Sequence, residues 1–340
     1  MNIRSAIPSA AIAVLLLYSA CGFAENRPLI VAHRGASGYL PEHTLEAKSM
    51  AYAMGADYLE QDVVLTKDHQ PVVLHDIHLD TVTNVAEVFP DRSRADGRFY
   101  AIDFTLADIK QLRVTERIDL ETGQAVFPKR FPAGKSRFEV PTLAEEIELI
   151  QGLNGSTGRT VGIYTEIKSP AWHRAQGGDI SRIVLEQLAR LGYRDNGDLA
   201  YVQCFDPVET RRMRSELKTE LKLVQLLADN SWNEAAFDFD SLRTKKGIRT
   251  IAEYADGIGP WMPHVVAGVD DKGRPQITSL VADAHTAGLE VHPFTLRADA
   301  MPKYCNDFEE LLRIFLVESE VDGIFTDFPD RAADFRDRMD

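Results

Sequence analysis

The sequence predicts an α/β fold of the TIM (β/α)8 barrel class, with a small inserted domain after an early β-hairpin. Apolar strand-like runs alternate with amphipathic helical stretches along most of the 340 residues, which is typical of a parallel sheet with helical crossovers. Eight runs remain when the return strand of the hairpin is set aside, and this barrel has eight strands. A long charged segment interrupts the alternation once, which indicates the insertion.

Nine strands are predicted, each from an apolar run bounded by polar or turn residues. The third returns from the second through a short polar turn at residues 66–70. Such a turn predicts an antiparallel hairpin, so the third strand does not count toward the barrel. In chain order, the nine strands cover residues 29–33, 57–65, 71–75, 161–168, 199–205, 221–226, 255–260, 289–295 and 323–326.

Helices are predicted in the gaps, where apolar residues recur at helical spacing. Thr44 can cap the first helix, and Thr142 with Glu145 has the pattern of a capping box at the second. The helices cover residues 45–54, 143–153, 180–191, 207–217, 279–287 and 307–318.

The long charged segment that interrupts the alternation of strands and helices defines the domain organisation. Residues 25–77 and 141–340 are expected to form the barrel, and residues 78–140 to form an insertion packed over the barrel mouth. The insertion contains one short predicted helix, at residues 106–112. So long a segment within a compact domain is usually functional.

Residues 1–24 have the pattern of a Sec signal peptide. Arg4 supplies the positive start, and the apolar run at residues 10–17 is too short to span a bilayer. Small residues before Glu25 predict cleavage there and export to the periplasm. The alternative is a lipid anchor on Cys21, because the preceding residues resemble the end of a bacterial lipobox.

Charge and cysteine content limit the partners. The net charge is −14, and without a basic stripe nucleic acid is not expected to bind. After the signal peptide, no transmembrane segment is predicted. Cys204 and Cys305 could form a disulfide or remain small buried side chains. Two cysteines so far apart in the chain do not show the spacing of a disulfide framework, which favours the second alternative. The oligomeric state stays open, with a homodimer as one alternative.

Chemically active side chains are predicted at the ends of the first strands. His33 and Arg34 end the first strand, where the site of a TIM barrel lies. Glu60 and Asp62, two residues apart on the second strand, point to the same face because strand side chains alternate. Folding the hairpin back brings His75 to the level of Asp62. Local geometry thereby brings two histidines, an arginine and two carboxylates toward one place.

A third carboxylate, Glu166, lies near the end of the next barrel strand and completes a set with Glu60 and Asp62. Three inward carboxylates without cysteine predict a site for one hard divalent cation, Ca²⁺ or Mg²⁺. A cation explains the set, because inward charges are costly unless they are compensated.

The remaining polar groups suit phosphate chemistry. Arg34 can bind two phosphate oxygens with the parallel N–H groups of its guanidinium, and Lys168 can act as a point charge. His33 and His75 are the groups of this set that titrate near neutrality. One would accept a proton from the nucleophile and the other would donate one to the leaving alcohol.

Six motifs together resemble the glycerophosphodiester phosphodiesterases, over the whole mature chain and most closely in their bacterial periplasmic branch. Many members of the family carry Asn at the position of His43, so His43 is given only a supporting role. The motifs are His33-Arg34-Gly35, Pro41-Glu42-His43-Thr44, Glu60-Gln61-Asp62, His75-Asp76, Glu166-Ile167-Lys168 and Phe325-Thr326-Asp327-Phe328-Pro329.

The resemblance implies a TIM barrel with a small insertion that hydrolyses deacylated phospholipids, such as glycerophosphocholine and glycerophosphoethanolamine. The products would be sn-glycerol 3-phosphate and an alcohol, which would supply glycerol and phosphate. The preferred alcohol stays open, and so does the first nucleophile, which is either water or the glycerol 2-hydroxyl.

The resemblance also implies residue roles. These are His33 and His75 as the acid/base pair, Arg34 and Lys168 as phosphate contacts, and a divalent cation, Ca²⁺ in this branch, on Glu60, Asp62 and Glu166. Phe205 and Phe294 would line a glycerol pocket, with packing in the barrel core as the open alternative for both.

Two other functional classes were weighed. Phospholipase D-like toxins and phosphatidylinositol phospholipases C use related barrels on lipid headgroups, but the sequence shows no apolar loop cluster for membrane docking. A non-catalytic exported binding protein is the second class. It would be expected to have lost at least one of His33, His75, Glu60 or Asp62, and all four are present.

Overall fold

The computed structural model describes residues 27–339, so the predicted signal peptide and Cys21 lie outside the described residues. Eight parallel strands form the main sheet, and a ninth strand pairs antiparallel with one of them. The strands are β1 (Leu29–Ala32), β2 (Tyr58–Leu65), β3 (Pro71–Val73), β4 (Gly162–Ile167), β5 (Ala200–Cys204), β6 (Lys222–Leu227), β7 (Gly257–Pro260), β8 (Val266–Val269), β9 (Pro275–Ile277), β10 (Glu290–Val291) and β11 (Gly323–Thr326).

The parallel strands are ordered β10-β7-β6-β5-β4-β2-β1-β11, which is the expected barrel. Beyond β10, the irregular chain closes the sheet. Phe325 N donates to Pro293 O at 3.0 Å, and Leu296 N donates to Phe325 O at 2.8 Å. The prediction of a regular strand through residue 295 was therefore wrong in its second half, where Pro293 has no N–H for the ladder.

Helices connect the barrel strands on the outside. The capping box of Thr142 and Glu145 is confirmed, as is the cap of Thr44. The helices are α1 (Leu45–Ala53), α2 (Val85–Val88), α3 (Leu106–Ile109), α4 (Leu143–Thr157), α5 (Pro170–Ala175), α6 (Ile180–Arg190), α7 (Pro207–Ser215), α8 (Phe239–Leu242), α9 (Lys245–Ile251), α10 (Met262–Val265), α11 (Leu280–Thr286), α12 (Phe308–Arg313) and α13 (Pro329–Asp337).

Several short elements escaped the sequence prediction. Helices α8 to α10 lie between β6 and the β8–β9 hairpin, which is a separate two-stranded sheet. Each of these elements has seven residues or fewer, which is too short to show a full helical or alternating period. Cys204 and Cys305 are unbonded, as the favoured alternative predicted, but only Cys204 is buried and Cys305 is partly exposed.

Aromatic rings fill the lower half of the barrel. Tyr164 and Tyr201 stack with ring centroids 4.7 Å apart, and Tyr58 and Phe325 pack against them edge-on. Because side chains alternate along a strand, the next inward position after Tyr58 is Glu60. The carboxylates therefore form the next layer of inward side chains after the aromatic rings, toward the carboxyl ends of the strands.

The segment predicted as an insertion, residues 78–140, contains short helices, turns and isolated bridges. Its buried side chains, from Leu79 to Val140, form a second apolar cluster together with Val64 and Val72 of the hairpin. The segment therefore packs on the outside of β2 and β3 and shares their apolar surface. Among the described helices, none has the length and hydropathy needed to cross a bilayer.

Candidate active site

The chain makes a tight turn where β1 ends. Arg34 has a φ of +58° and Gly35 one of +86°. A Cβ at Gly35 would lie 2.9 Å from the backbone carbon of Ala47, so only glycine fits this turn. In this conformation, the Arg34 backbone N–H donates to Glu60 Oε2 at 2.8 Å. Arg34, whose backbone is in the left-handed region, thus holds the Glu60 carboxylate with its backbone N–H.

The three predicted carboxylates come together. One oxygen each from Glu60, Asp62 and Glu166 lies within 4.8 Å of the other two, and all three side chains are buried. Asp62 and Glu166 are directly paired in the β2–β4 register. Gln203 Nε2 donates to the second oxygen of Glu60 at 3.0 Å, which fixes the plane of that carboxylate.

This set fits a divalent cation. Asp62 Oδ1 is buried without a hydrogen-bond partner, although buried oxygens are normally satisfied. Burial, and then the Asp62 charge, raise the pKa of Glu60 to about 8. Burial also raises the pKa of Glu166, against the opposing effect of Lys168. An all-oxygen set with crowded negative charge is the donor chemistry of Ca²⁺ and Mg²⁺.

His43 orients Asp62. Its Nε2 donates to Asp62 Oδ2 at 2.7 Å, and Lys48 Nζ donates to its Nδ1 at 3.4 Å. Burial, and then the charge of Lys48, lower the pKa of His43 to about 3, so the ring is neutral with its proton on Nε2. Burial opposes ionisation of Asp62, but the contact with His43 outweighs it and keeps the pKa of Asp62 low. The supporting role given to His43 agrees with this geometry.

His33 pairs with a carboxylate at the other end of the chain. Its Nδ1 lies 2.6 Å from Asp327 Oδ1, and its Nε2 lies 3.9 Å from Glu60 Oε2. Arg130 and Arg297 both donate to Asp327 Oδ2 at 2.7 Å. Burial, and then the charge of Arg34, lower the pKa of His33 to about 4. The ring is therefore neutral at pH 7, and its outer nitrogen lies beside the carboxylates.

His75 has the same kind of partner. Its Nδ1 lies 2.6 Å from Asp76 Oδ1, and its Nε2 lies 3.4 Å from Lys168 Nζ. Lys168 Nζ in turn lies 2.7 Å from Glu166 Oε1. Burial, and then the charges of Arg34 and Lys168, lower the pKa of His75. Since Lys168 approaches Nε2 as a donor, the proton of the neutral ring is on Nδ1 and points at Asp76.

Arg34 contacts Glu42 as well as Asp62 of the carboxylate cluster. Its NH1 donates to both oxygens of Glu42 at 3.1 Å, and its Nε lies 3.6 Å from Asp62 Oδ2. Nε itself is buried without a hydrogen-bond partner. Arg34 therefore retains donor capacity at the site.

These side chains surround a cavity of about 420 Å³. The polar residues that line it include His33, Arg34, Glu60, His75 and Glu166, and the apolar ones include Phe205, Trp232, Trp261, Met262 and Phe294. An adjoining cavity of about 370 Å³ is lined by His75, Asp76 and Lys168. Glu234 lines both cavities.

The structure brings all nine sequence-predicted site residues to this region, and Phe205 and Phe294 face the cavity. Their individual roles remain predictions. The arrangement suits proton transfer at an anionic group, because two neutral imidazoles stand beside a cation site and two cationic side chains.

Sequence reasoning gave no role to several residues of the site. Asp327 and Gln203 are at the carboxyl ends of β11 and β5, where inward polar residues could have been flagged. Trp261 directly follows β7. Glu234 and Arg297 lie in loops, and no pattern in the sequence distinguishes them from other loop charges.

Comparisons with known proteins agree with this site. The model of the glycerophosphoryl diester phosphodiesterase family matches residues 33–331. A glycerophosphodiester phosphodiesterase of Haemophilus influenzae is 43% identical over 328 residues, covering 92% of this chain and 90% of that protein. One from Treponema pallidum is 38% identical over 331 residues, covering 92% of this chain and 93% of that protein.

Solved structures show the same fold. A candidate glycerophosphoryl diester phosphodiesterase from Silicibacter pomeroyi is 26% identical with a TM-score of 0.70, covering 92% of this chain and 94% of that one. A phosphodiesterase from Oleispira antarctica, solved with the product sn-glycerol-3-phosphate, is 21% identical with a TM-score of 0.60. That match covers 91% of this chain and 97% of the other.

Proposed function

The chain belongs to the glycerophosphoryl diester phosphodiesterase family, as its motifs predicted, and we propose that it releases sn-glycerol 3-phosphate from glycerophosphodiesters such as glycerophosphocholine and glycerophosphoethanolamine. It is a phosphoric diester hydrolase. The observation that carries the substrate proposal is the meeting of two carboxylate-bound histidines with a buried three-carboxylate cluster at one cavity. The proposed physiological role is scavenging of phospholipid-derived glycerol and phosphate.

We propose one divalent cation, Ca²⁺ with Mg²⁺ as the alternative, on Glu60, Asp62 and Glu166. When bound, it would neutralise negative charge on the phosphoryl oxygens. The free Asp62 Oδ1 and the raised pKa values of Glu60 and Glu166 support a cation in this position.

The acid/base roles follow from the geometry of the rings. Each histidine uses Nδ1 to bind an aspartate, which leaves Nε2 to face the substrate. On His75, the substrate would replace or share the contact of Nε2 with Lys168. His33 lies beside Glu60 and is proposed to take the proton of the nucleophile, which is either water or the glycerol 2-hydroxyl. His75 lines both cavities and is proposed to protonate the alcohol that leaves. The negative charge of the bound diester favours the protonated form of His75. Arg34 and Lys168 are proposed to contact the phosphate.

The apolar and the charged lining residues are proposed to contact different parts of the substrate. Phe205 and Phe294, with ring centroids 5.8 Å apart, are proposed to contact the glycerol carbons. Glu234 lies on the side of His75 and Lys168, where the alcohol would be released. A carboxylate there, with the Trp232 ring in the same loop, suits the cationic headgroup of choline or ethanolamine.

The direct test is release of sn-glycerol 3-phosphate from glycerophosphocholine by the purified protein. It should be measured before and after a chelator, and again after addition of Ca²⁺ or Mg²⁺. Loss with chelator and recovery with Ca²⁺ would support both proposals. Absence of release in the presence of either ion would contradict the substrate proposal, and release unaffected by chelator would contradict the cation proposal.

Export to the periplasm through a Sec signal peptide cleaved before Glu25 is also proposed, with a lipid anchor on Cys21 as the alternative. Mass spectrometry of the mature N-terminus distinguishes the two. The oligomeric state stays open, with a homodimer as one alternative, and light scattering on the purified protein distinguishes a monomer from a dimer.

A further inference from the structure

We propose that the inserted segment completes the active site by supplying two positioning arginines, Arg117 and Arg130. Each binds the aspartate that holds one of the two histidines. This inference rests on the proposed acid/base roles of His33 and His75. It assigns to residues 78–140 a part in the chemistry itself.

Arg117 connects the insertion with the His75 side of the site. Its NH1 donates to Asp76 Oδ2 at 2.6 Å, while the other oxygen of Asp76 binds His75. Its Nε and NH2 donate to the two oxygens of Glu42 at 3.0 and 2.6 Å. Glu42 in turn binds Arg34. One guanidinium therefore fixes the partner of a histidine and the partner of a phosphate contact at the same time.

Arg130 connects the insertion with the His33 side of the site. Its NH2 donates to Asp327 Oδ2 at 2.7 Å, while the other oxygen of Asp327 binds His33. Its Nε donates to Asp299, and its NH1 donates to the backbone carbonyl of Ser37 at 3.1 Å. The Arg130 side chain is only 5% exposed. Arg297 shares the same oxygen of Asp327, so this aspartate has two cationic partners.

The two arginines limit the rotation of the aspartate carboxylates. A carboxylate held at one oxygen can rotate and can lose its bond to the imidazole. A planar guanidinium on the other oxygen fixes the carboxylate plane. The imidazole is then held with Nδ1 bonded and Nε2 free, which is the orientation that proton transfer needs. The insertion supplies one arginine to the aspartate partner of each histidine, and simple attachment of a surface segment does not require this repeated arrangement.

Arg94 provides the matched control. It also belongs to residues 78–140, binds Asp103 through two hydrogen bonds, and reaches Gln176 of the barrel at 3.1 Å. Its contacts do not include His33, His75 or their aspartate partners. If the arginines only attach the segment, R94Q should resemble R117Q and R130Q.

The test compares kcat and KM for glycerophosphocholine in R117Q, R117K, R130Q and R94Q at saturating Ca²⁺. Loss of a partner behind a functional ligand typically costs about 10- to 100-fold. R117Q should lose kcat in that range, and KM should rise by a smaller factor because Arg117 also holds Glu42, the partner of Arg34. R117K should recover only part of the kcat loss. R130Q should lose less, because Arg297 remains, and R94Q should stay within about twofold of wild type.

A double-variant cycle separates positioning from folding. If Arg117 acts on His75 through Asp76, then R117Q should lower kcat little further in a D76N background, so the two kcat effects should be far from multiplicative. The contact of Arg117 with Glu42 remains in D76N and is expected to affect KM in both backgrounds. Multiplicative effects, or equal losses in R94Q and R117Q, would overturn the proposal. An inactive wild-type enzyme would instead contradict the proposed function, so the two failures are distinguishable.

Discussion

His33 and Asp327 are 294 residues apart in the chain, yet Nδ1 of the one lies 2.6 Å from Oδ1 of the other. The contact forms because β1 and β11 are neighbours in the closed barrel, with Ala32 paired to Thr326. His75 obtains the same kind of partner from the next residue, Asp76. Barrel closure therefore gives His33 a carboxylate equivalent to the one that His75 obtains from its neighbour in the chain.

Substitution of either histidine should remove most of the activity. General acid–base catalysis contributes about 10²- to 10⁴-fold, so H33A and H75A should each lose kcat in this range on glycerophosphocholine. Both side chains lie on the cavity wall, so the melting temperature should fall little. Near-wild-type turnover in either variant would contradict the acid/base assignment.

The two histidines should differ with a better leaving group. A substrate that releases p-nitrophenol needs no protonation of the leaving oxygen. H75A should therefore recover most of its loss on glycerophospho-p-nitrophenol, whereas H33A should not. Equal recovery in both variants, or recovery in H33A alone, would reverse or remove the proposed division of roles.

The carboxylates should control cation binding. E60Q and E166Q each remove a negative charge from a set whose oxygens lie within 4.8 Å of one another. Calcium affinity measured by isothermal titration calorimetry should fall by about 10- to 100-fold. E234Q is the matched control, since it removes a cavity carboxylate outside the trio. Unchanged calcium affinity in E60Q would exclude the proposed ligand set.

Glu234 should select cationic headgroups. In E234Q, KM for glycerophosphocholine and glycerophosphoethanolamine should rise by about 3- to 10-fold, the effect of about 1 kcal/mol of ion pairing at a partly exposed site. KM for glycerophosphoglycerol, whose headgroup is neutral, should not change. A uniform increase for all three substrates would show that Glu234 acts on the shared glycerophosphate part.

The architecture and the reactive residues could be predicted because both depend on strand periodicity. Glu60 and Asp62 share a face because they are two residues apart, and the hairpin fixes the level of His75. The same rule places Glu166, which pairs with Asp62 in register. These relationships are local or follow from parallel strand order, so the sequence contains them.

The supporting residues could not be predicted in the same way. Arg117 and Arg130 lie in an irregular segment, where no period relates a residue to its position in space. Their partners Asp76 and Asp327 were visible as motif residues, but the sequence does not show which cation binds which carboxylate. The short helices near Glu234 were missed for a related reason, since helices of about one turn depend on tertiary packing.

His173 should make the folded state sensitive to acid. It lies in α5, its side chain is fully buried, and neither ring nitrogen has a hydrogen-bond partner among the described residues. Burial, and then the charge of His69, lower the pKa of His173 to about 4. The unfolded chain therefore binds this proton below pH 6.5 while the folded chain does not, so stability falls as the pH falls from 6.5 toward 4.

Replacement by phenylalanine removes this proton and keeps a ring against Trp172. The free energy of unfolding of wild type and H173F should differ by a constant amount at pH 7.5 and above, which reports packing alone. At pH 5, the variant should gain about 2 kcal/mol relative to wild type, since each pKa unit corresponds to about 1.4 kcal/mol. Urea denaturation at pH 8, 6.5 and 5 measures this difference. Parallel pH profiles for the two proteins would mean that His173 is hydrated or protonated in the folded state.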